Sequence, residues 1–170
     1  MIKLVPVGST DKAILEILKK PIEEAFGTSV RTGNRMELPE ASWNAQRRQY
    51  LTSLILDKLP LDNRVLGVVD VDIYHRGLNF VFGQADVAGQ RAIISPVRLR
   101  QEFYGLPRDD KLFCERVIKE AVHELGHTYS LEHCHRPTCV MHFSNSLQDT
   151  DFKGRQFCSI CREKVRGAGI

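Results

Sequence analysis

Apolar residues recur along this chain with two periods, and the alternation between them predicts layered α and β structure. Ile2 to Val7 is a short apolar strand candidate. From Asp11 to Phe26 the apolar residues Ile14, Leu15, Leu18, Ile22 and Phe26 follow helical spacing. Asp11 can cap the start of that helix and Gly27 can end it. Val30 to Arg35 is a second strand candidate. Ala41 to Leu59 reads as a second helix, with Ser42 near its start and Pro60 just past its end. The valine-rich run Arg64 to Tyr74 predicts a central strand. Phe80 to Phe82 and Arg91 to Val97 are further strand candidates, joined by a Gly83- and Gly89-containing hairpin or irregular turn. This order of elements predicts an α/β layer around a mostly parallel sheet.

The third helix spans Asp109 to about Tyr129. Phe113, Val117, Ala121 and Leu125 step by four along it, with Cys114, Ile118 and Val122 in the adjacent row, and the two rows form a core-facing stripe. After Leu131 the composition changes: four of the five cysteines and three of the six histidines follow. The chain therefore divides into residues 1–133, carrying sheet and helices, and a tail of residues 134–170. A tail of that length builds no core of its own and needs a staple.

The 170 residues are 42% hydrophobic and 26% charged, as expected of an ordinary globular chain. The net charge of +3 is spread without blocks, so it offers no argument for a nucleic-acid or membrane partner. No apolar run approaches membrane-spanning length, and the first nine residues lack the pattern of a signal peptide. The expectation is a cytoplasmic monomer. In a reducing compartment, clustered cysteines read as metal ligands rather than disulfides.

Candidate chemistry concentrates on the third helix, which carries His123-Glu124-Leu125-Gly126-His127. Histidines four apart sit about 40° apart in helical projection, so both imidazoles can reach one ion. Glu124 lies about 60° from His127 in the same projection, beside such an ion rather than on it, where it can take a proton from bound water. A chain turning after His127 brings His133 back as a third ligand. Three protein ligands with an open fourth position define a catalytic zinc. Two close pairs, Cys134 with Cys139 and Cys158 with Cys161, fit a closed tetrahedral zinc site with a structural role. A redox Cys-x-x-Cys motif or two disulfides are the alternatives. Cys114 reads as a buried apolar residue, and His135 and His142 as surface or supporting residues.

The segment HELGHTYSLEH followed by CHRPTCVM resembles the metzincin metallopeptidases, whose pattern is HExxHxxGxxH and then a methionine turn. Met141, eight residues after His133, matches the methionine that lies beneath the metal in that clan. The cysteines make the chain more similar still to the archaemetzincins. The resemblance implies a metzincin-like fold: an upper subdomain with a twisted mixed sheet and long helices, a cleft, and a small zinc-stapled lower subdomain. Three main helices are expected in all. It also implies a peptide substrate lying along an edge strand, within Phe80 to Phe82 or Arg91 to Val97. The clan has glycine where this chain has Ser130, and serine in a left-handed turn costs on the order of 1 kcal/mol.

The combined expectation is zinc-dependent peptide-bond hydrolysis with two Zn²⁺. His123, His127 and His133 hold the catalytic ion, Glu124 is the general base, and Cys134, Cys139, Cys158 and Cys161 hold the structural ion. One rival is a glutamate third ligand, for which Glu163 is the downstream candidate. Another is a catalytically silent zinc protein that binds peptides in the same cleft.

Overall fold

The structure is a computed structural model that describes residues 1–168. Its centre is a five-stranded sheet of order β2-β1-β5-β8-β7. The strands are β1 (Ile2–Val7), β2 (Val30–Thr32), β5 (Arg64–Val69), β7 (Gly83–Asp86) and β8 (Arg91–Ile94). All neighbours run parallel except β7, which pairs antiparallel with β8 and forms an edge. Side chains alternate across the pleat as the period of two requires. Ile2, Leu4, Leu66 and Val68 enter one apolar cluster; Val5, Val7, Val65 and Val69 enter the other.

Two long helices, α1 (Lys12–Phe26) and α3 (Asp110–Thr128), cover the first face. The five apolar positions expected to face the core from α1 are all buried. The Asp11 side chain accepts from the Ala13 amide, and Gly27 closes the helix at φ 62°. In α3 the Asp109 carboxylate accepts from the Leu112 amide at 2.9 Å. Its apolar stripe is buried from Val117 to Leu125, whereas Phe113 and Cys114 at its start are only half-buried. Its polar side is buried too: Arg116, Lys119, Glu120, His123 and Glu124 are all covered. The cover is the C-terminal segment, whose Val140, Met141, Phe157, Cys161 and Val165 join the cluster beneath α1 and α3.

Two expectations are corrected here. The second helix does not run from Ala41 to Leu59. That stretch forms a 3-10 turn at Glu40–Ser42, strands β3 (Trp43–Asn44) and β4 (Gln49–Leu51), and the short helix α2 (Thr52–Leu56). β3 and β4 form an antiparallel hairpin, β4 pairs in parallel with β6 (Ile73–Tyr74), and Arg48 turns the hairpin at φ 55°. The polar run Asn44 to Gln49 supplies no apolar stripe for a helix. Extended, it lets the buried Gln49 amide donate to Asp72 at 3.1 Å and to the Asn79 carbonyl at 2.9 Å. The run Arg64 to Tyr74 likewise breaks into β5 and β6. Between them, Asp70 and Asp72 leave the sheet to take bidentate hydrogen bonds from Arg100 and Arg98, at 2.6–3.0 Å and 2.7–2.8 Å.

The remaining helices are α4 (Leu147–Phe152), capped by Ser146, and α5 (Ser159–Gly167). Among the described residues, no helix is long and apolar enough to cross a membrane.

Candidate metal centre and cleft

α3 ends inside a cleft of about 710 Å³ between edge strand β7 and the loop after Met141. The ligand atoms of His123, His127 and His133 lie within 4.8 Å of one another on its floor. Two backbone carbonyls set the tautomers. Val140 O lies 2.8 Å from His123 Nδ1, and Leu131 O lies 2.7 Å from His127 Nδ1. A carbonyl only accepts, so each Nδ1 carries the proton and each Nε2 presents a lone pair to the cleft. The two Nε2 atoms are 3.2 Å apart. Two lone pairs facing at that distance repel unless a cation joins them. A tetrahedral zinc with Zn–N of 2.0–2.1 Å would hold its nitrogens ~3.4 Å apart, so the donor set fits that ion.

Burial lowers the pKa of His123 well below its ordinary value, with the charges of Lys153 and His127 adding to the effect. Burial also lowers His127 and His133. Neutral imidazole is the form a metal requires. His133 reaches the cluster because Ser130 takes φ 60°, the left-handed conformation that glycine adopts without strain. Glu163, His135 and His142 lie outside the histidine cluster. His142 Nδ1 donates to the Cys134 carbonyl at 2.8 Å.

Glu124 is 7% exposed and lines the same cleft. Burial raises its pKa well above the ordinary carboxylate range; the charge of Glu120 adds to this and Lys153 opposes it. A carboxyl shifted by burial inside a cleft is a candidate for proton transfer. Gly83, which opens β7, makes room for it. A methyl group built at Gly83 would lie 2.6 Å from Glu124 Cγ and 2.7 Å from the Ile93 carbonyl oxygen. Gly126 has the same relation to Met141, whose sulfur would meet any side chain placed there. Met141 is fully buried against Gly126 of α3.

The second cluster is Cys134, Cys139, Cys158 and Cys161, whose sulfurs also lie within 4.8 Å of one another. None is disulfide-bonded. Cys134 Sγ and Cys158 Sγ are 3.9 Å apart, against ~3.8 Å for a tetrahedral site with Zn–S of 2.3 Å. Burial raises the Cys158 thiol, but hydrogen bonds from the Cys161 amide and from the neighbouring thiols outweigh it and bring it down to about 7. Burial and the same neighbours push Cys161 far up.

The sequence offered no signal for three residues of this site: Gly83, Glu120 and Lys153. The edge strand is Gly83–Asp86, directly after the expected Phe80 to Phe82. Arg91 to Val97 cannot be the edge, because β8 lies between β5 and β7.

Known proteins resemble this chain in sequence and fold. The sequence profile described as Peptidase family M54 matches residues 34–167. The archaemetzincin of Methanocaldococcus jannaschii is 45% identical over 166 residues, covering 97% of this chain and 92% of that protein. The crystal structure of the Archaeoglobus fulgidus archaemetzincin, complexed with malonate, is 40% identical with a TM-score of 0.86, over 96% of this chain and 99% of that one. A zinc-dependent peptidase from Methanocorpusculum labreanum is 28% identical with a TM-score of 0.87, over 97% of this chain and all (100%) of that one. The chain belongs to peptidase family M54, the archaemetzincins, and is a metallopeptidase of that family.

Proposed function

We propose that the protein hydrolyses peptide bonds with a zinc ion held by Nε2 of His123, His127 and His133 and with Glu124 as general base. The observation that carries this reading is the pair of Nε2 lone pairs 3.2 Å apart, in a cleft that also holds a buried carboxyl. Zinc in this position supplies Lewis acidity, acidifying water and polarising the scissile carbonyl. Glu124 takes the proton of the attacking water on its carboxylate and returns it to the leaving amine. Its burial against Gly83 fixes the carboxyl and raises its basicity. β7 has a hydrogen-bonded neighbour on one side only, so its free edge can pair with an extended substrate backbone beside Glu124.

A second zinc belongs in the four-cysteine cluster. Thiolates on that spacing leave no open position, and the ion ties α5 and the Met141 loop together. Four thiols kept reduced suit a cytoplasmic protein.

Glu124→Gln keeps the shape of the carboxyl and removes the base. It should retain zinc and lose hydrolysis of a peptide library by at least ~100-fold. Loss of the zinc would make Glu124 a ligand. A wild-type protein that binds library peptides in the cleft and cleaves none would be a silent peptide-binding protein.

A further inference from the structure

Lys153 is fully buried, the largest such side chain among the described residues, and no motif accounts for it. A buried ammonium group is strongly disfavoured unless its surroundings compensate. Its Nζ lies 3.2 Å from Glu120 Oε1 on α3 and 3.3 Å from the His142 carbonyl. It is also 3.4 Å from His123 Nδ1. That nitrogen already directs its proton at Val140 O, so it offers Lys153 no lone pair. The effective acceptors are Glu120 and the His142 carbonyl. They sit on either side of His123: one on the helix that carries the ring, the other on the loop that accepts its proton. Thr150 Oγ1 adds a contact of 3.4 Å to Glu120.

We propose that Lys153, through Glu120, is a positioning residue that clamps the Val140–His142 segment onto α3 and so holds the His123 imidazole in its metal-binding orientation. The inference rests on the zinc reading above. The loop presents Val140 O to His123 only while its backbone stays at a fixed distance from α3. Lys153 is the one charged crosslink described between them. It is fixed from behind as well. Gly154 N donates to Thr138 O at 2.9 Å, Val140 N to Gln156 O at 3.0 Å, and Cys158 N to Cys139 Sγ at 3.3 Å. One strip of chain thus runs from the clamp to the four-cysteine cluster. An apolar side chain would fill the same space without tying the His142 carbonyl to Glu120 on α3. Groups that orient a histidine ligand are each worth 10–100-fold in metal affinity.

Lys153→Met fills the site and removes the crosslink. The cysteine site is loaded first, and histidine-site affinity is then read by competition between zinc and a chelator. Cobalt substitution reports the two sites separately: ligand-field bands for histidine, thiolate charge-transfer bands for cysteine. The expected result is a loss of tenfold or more at the histidine site with the thiolate bands unchanged. Glu120→Gln, which keeps the shape but takes away the ammonium's counter-charge, should weaken the same site at least threefold; if Lys153→Met does not fold, this variant decides. A merely structural lysine would alter the melting temperature and leave the affinity alone. Folded variants within twofold of wild type overturn the clamp and leave the zinc reading standing. A wild type that takes no metal at the histidines overturns both.

Discussion

Gly83→Ala tests the link between the edge strand and the general base. The added methyl carbon would sit 2.6 Å from Glu124 Cγ and 2.7 Å from the Ile93 carbonyl oxygen. Ordinary contact begins near ~3.5 Å, so roughly 0.8 Å must be found. The Ile93 oxygen is backbone in β8, held between β5 and β7. Either Glu124 moves or the edge strand does. Overpacking of this kind costs ~1–3 kcal/mol, which lowers the melting temperature by ~2–4 °C for each kcal/mol in a chain of this length. Misplacing a catalytic group by about 1 Å costs ~100-fold in turnover, or about 2.7 kcal/mol of barrier. The assay is turnover of a cleaved library peptide alongside zinc content. Activity should fall on the order of 100-fold while both metals stay bound. Wild-type turnover at a wild-type melting temperature would refute the claim that Gly83 sets the place of Glu124.

The other predictions concern turns, protons and the staple. Ser130→Gly relieves a left-handed serine worth ~1–2 kcal/mol and loosens the unfolded chain by ~0.4–1 kcal/mol; denaturant unfolding should show a net gain of about 1 kcal/mol or less, and a clear loss would mean that Ser130 makes contacts outweighing its strain. Metal-free protein should lose stability as pH falls below 6.5, because His123, His127 and His133 have lowered pKa values and the unfolded chain takes up their protons first. His123 alone contributes a slope of up to ~1.4 kcal/mol per pH unit. Glu124, with its raised pKa, has the opposite sign: its folded form keeps a proton above pH 4.5 that the unfolded chain releases, so stability falls as pH rises. Metal-free Glu124→Gln should therefore lose stability more steeply than wild type between pH 6.5 and 4.5 in denaturant titrations, and equal slopes would contradict this. Replacing Cys158 and Cys161 with serine should remove one zinc of two and lower the melting temperature; retention of both would rule out the four-cysteine site.

What could be read from the sequence were features that repeat or recur at short spacing. α1 and α3 announce themselves by long apolar periods, and α1 also by its capping residue Asp11. Histidines four apart on a helix, and cysteines in close pairs, bring their donors together by local geometry alone. The segment 41–59 misleads because Tyr50, Leu51, Leu54 and Ile55 give a partial helical period, whereas Gln49 finds its partners at Asp72 and Asn79, far along the chain. The polar side of α3 looks solvated for the same reason. Arg116 is covered because Asp151, 35 residues away, reaches it at 2.6–2.7 Å and the Leu99 carbonyl accepts from it at 3.1 Å. Gly83 and Lys153 matter through tertiary contacts that no spacing encodes.

The proposed function calls for two different metal sites, one open and one closed. Diffraction data recorded on both sides of the zinc absorption edge, from protein purified without chelator, test it directly. Two anomalous peaks per chain are expected. One should lie ~2.0–2.1 Å from Nε2 of His123, His127 and His133, with no fourth protein ligand. The other should lie ~2.3 Å from the sulfurs of Cys134, Cys139, Cys158 and Cys161. A vacant histidine cluster, or a fourth side chain closing it, would contradict the account.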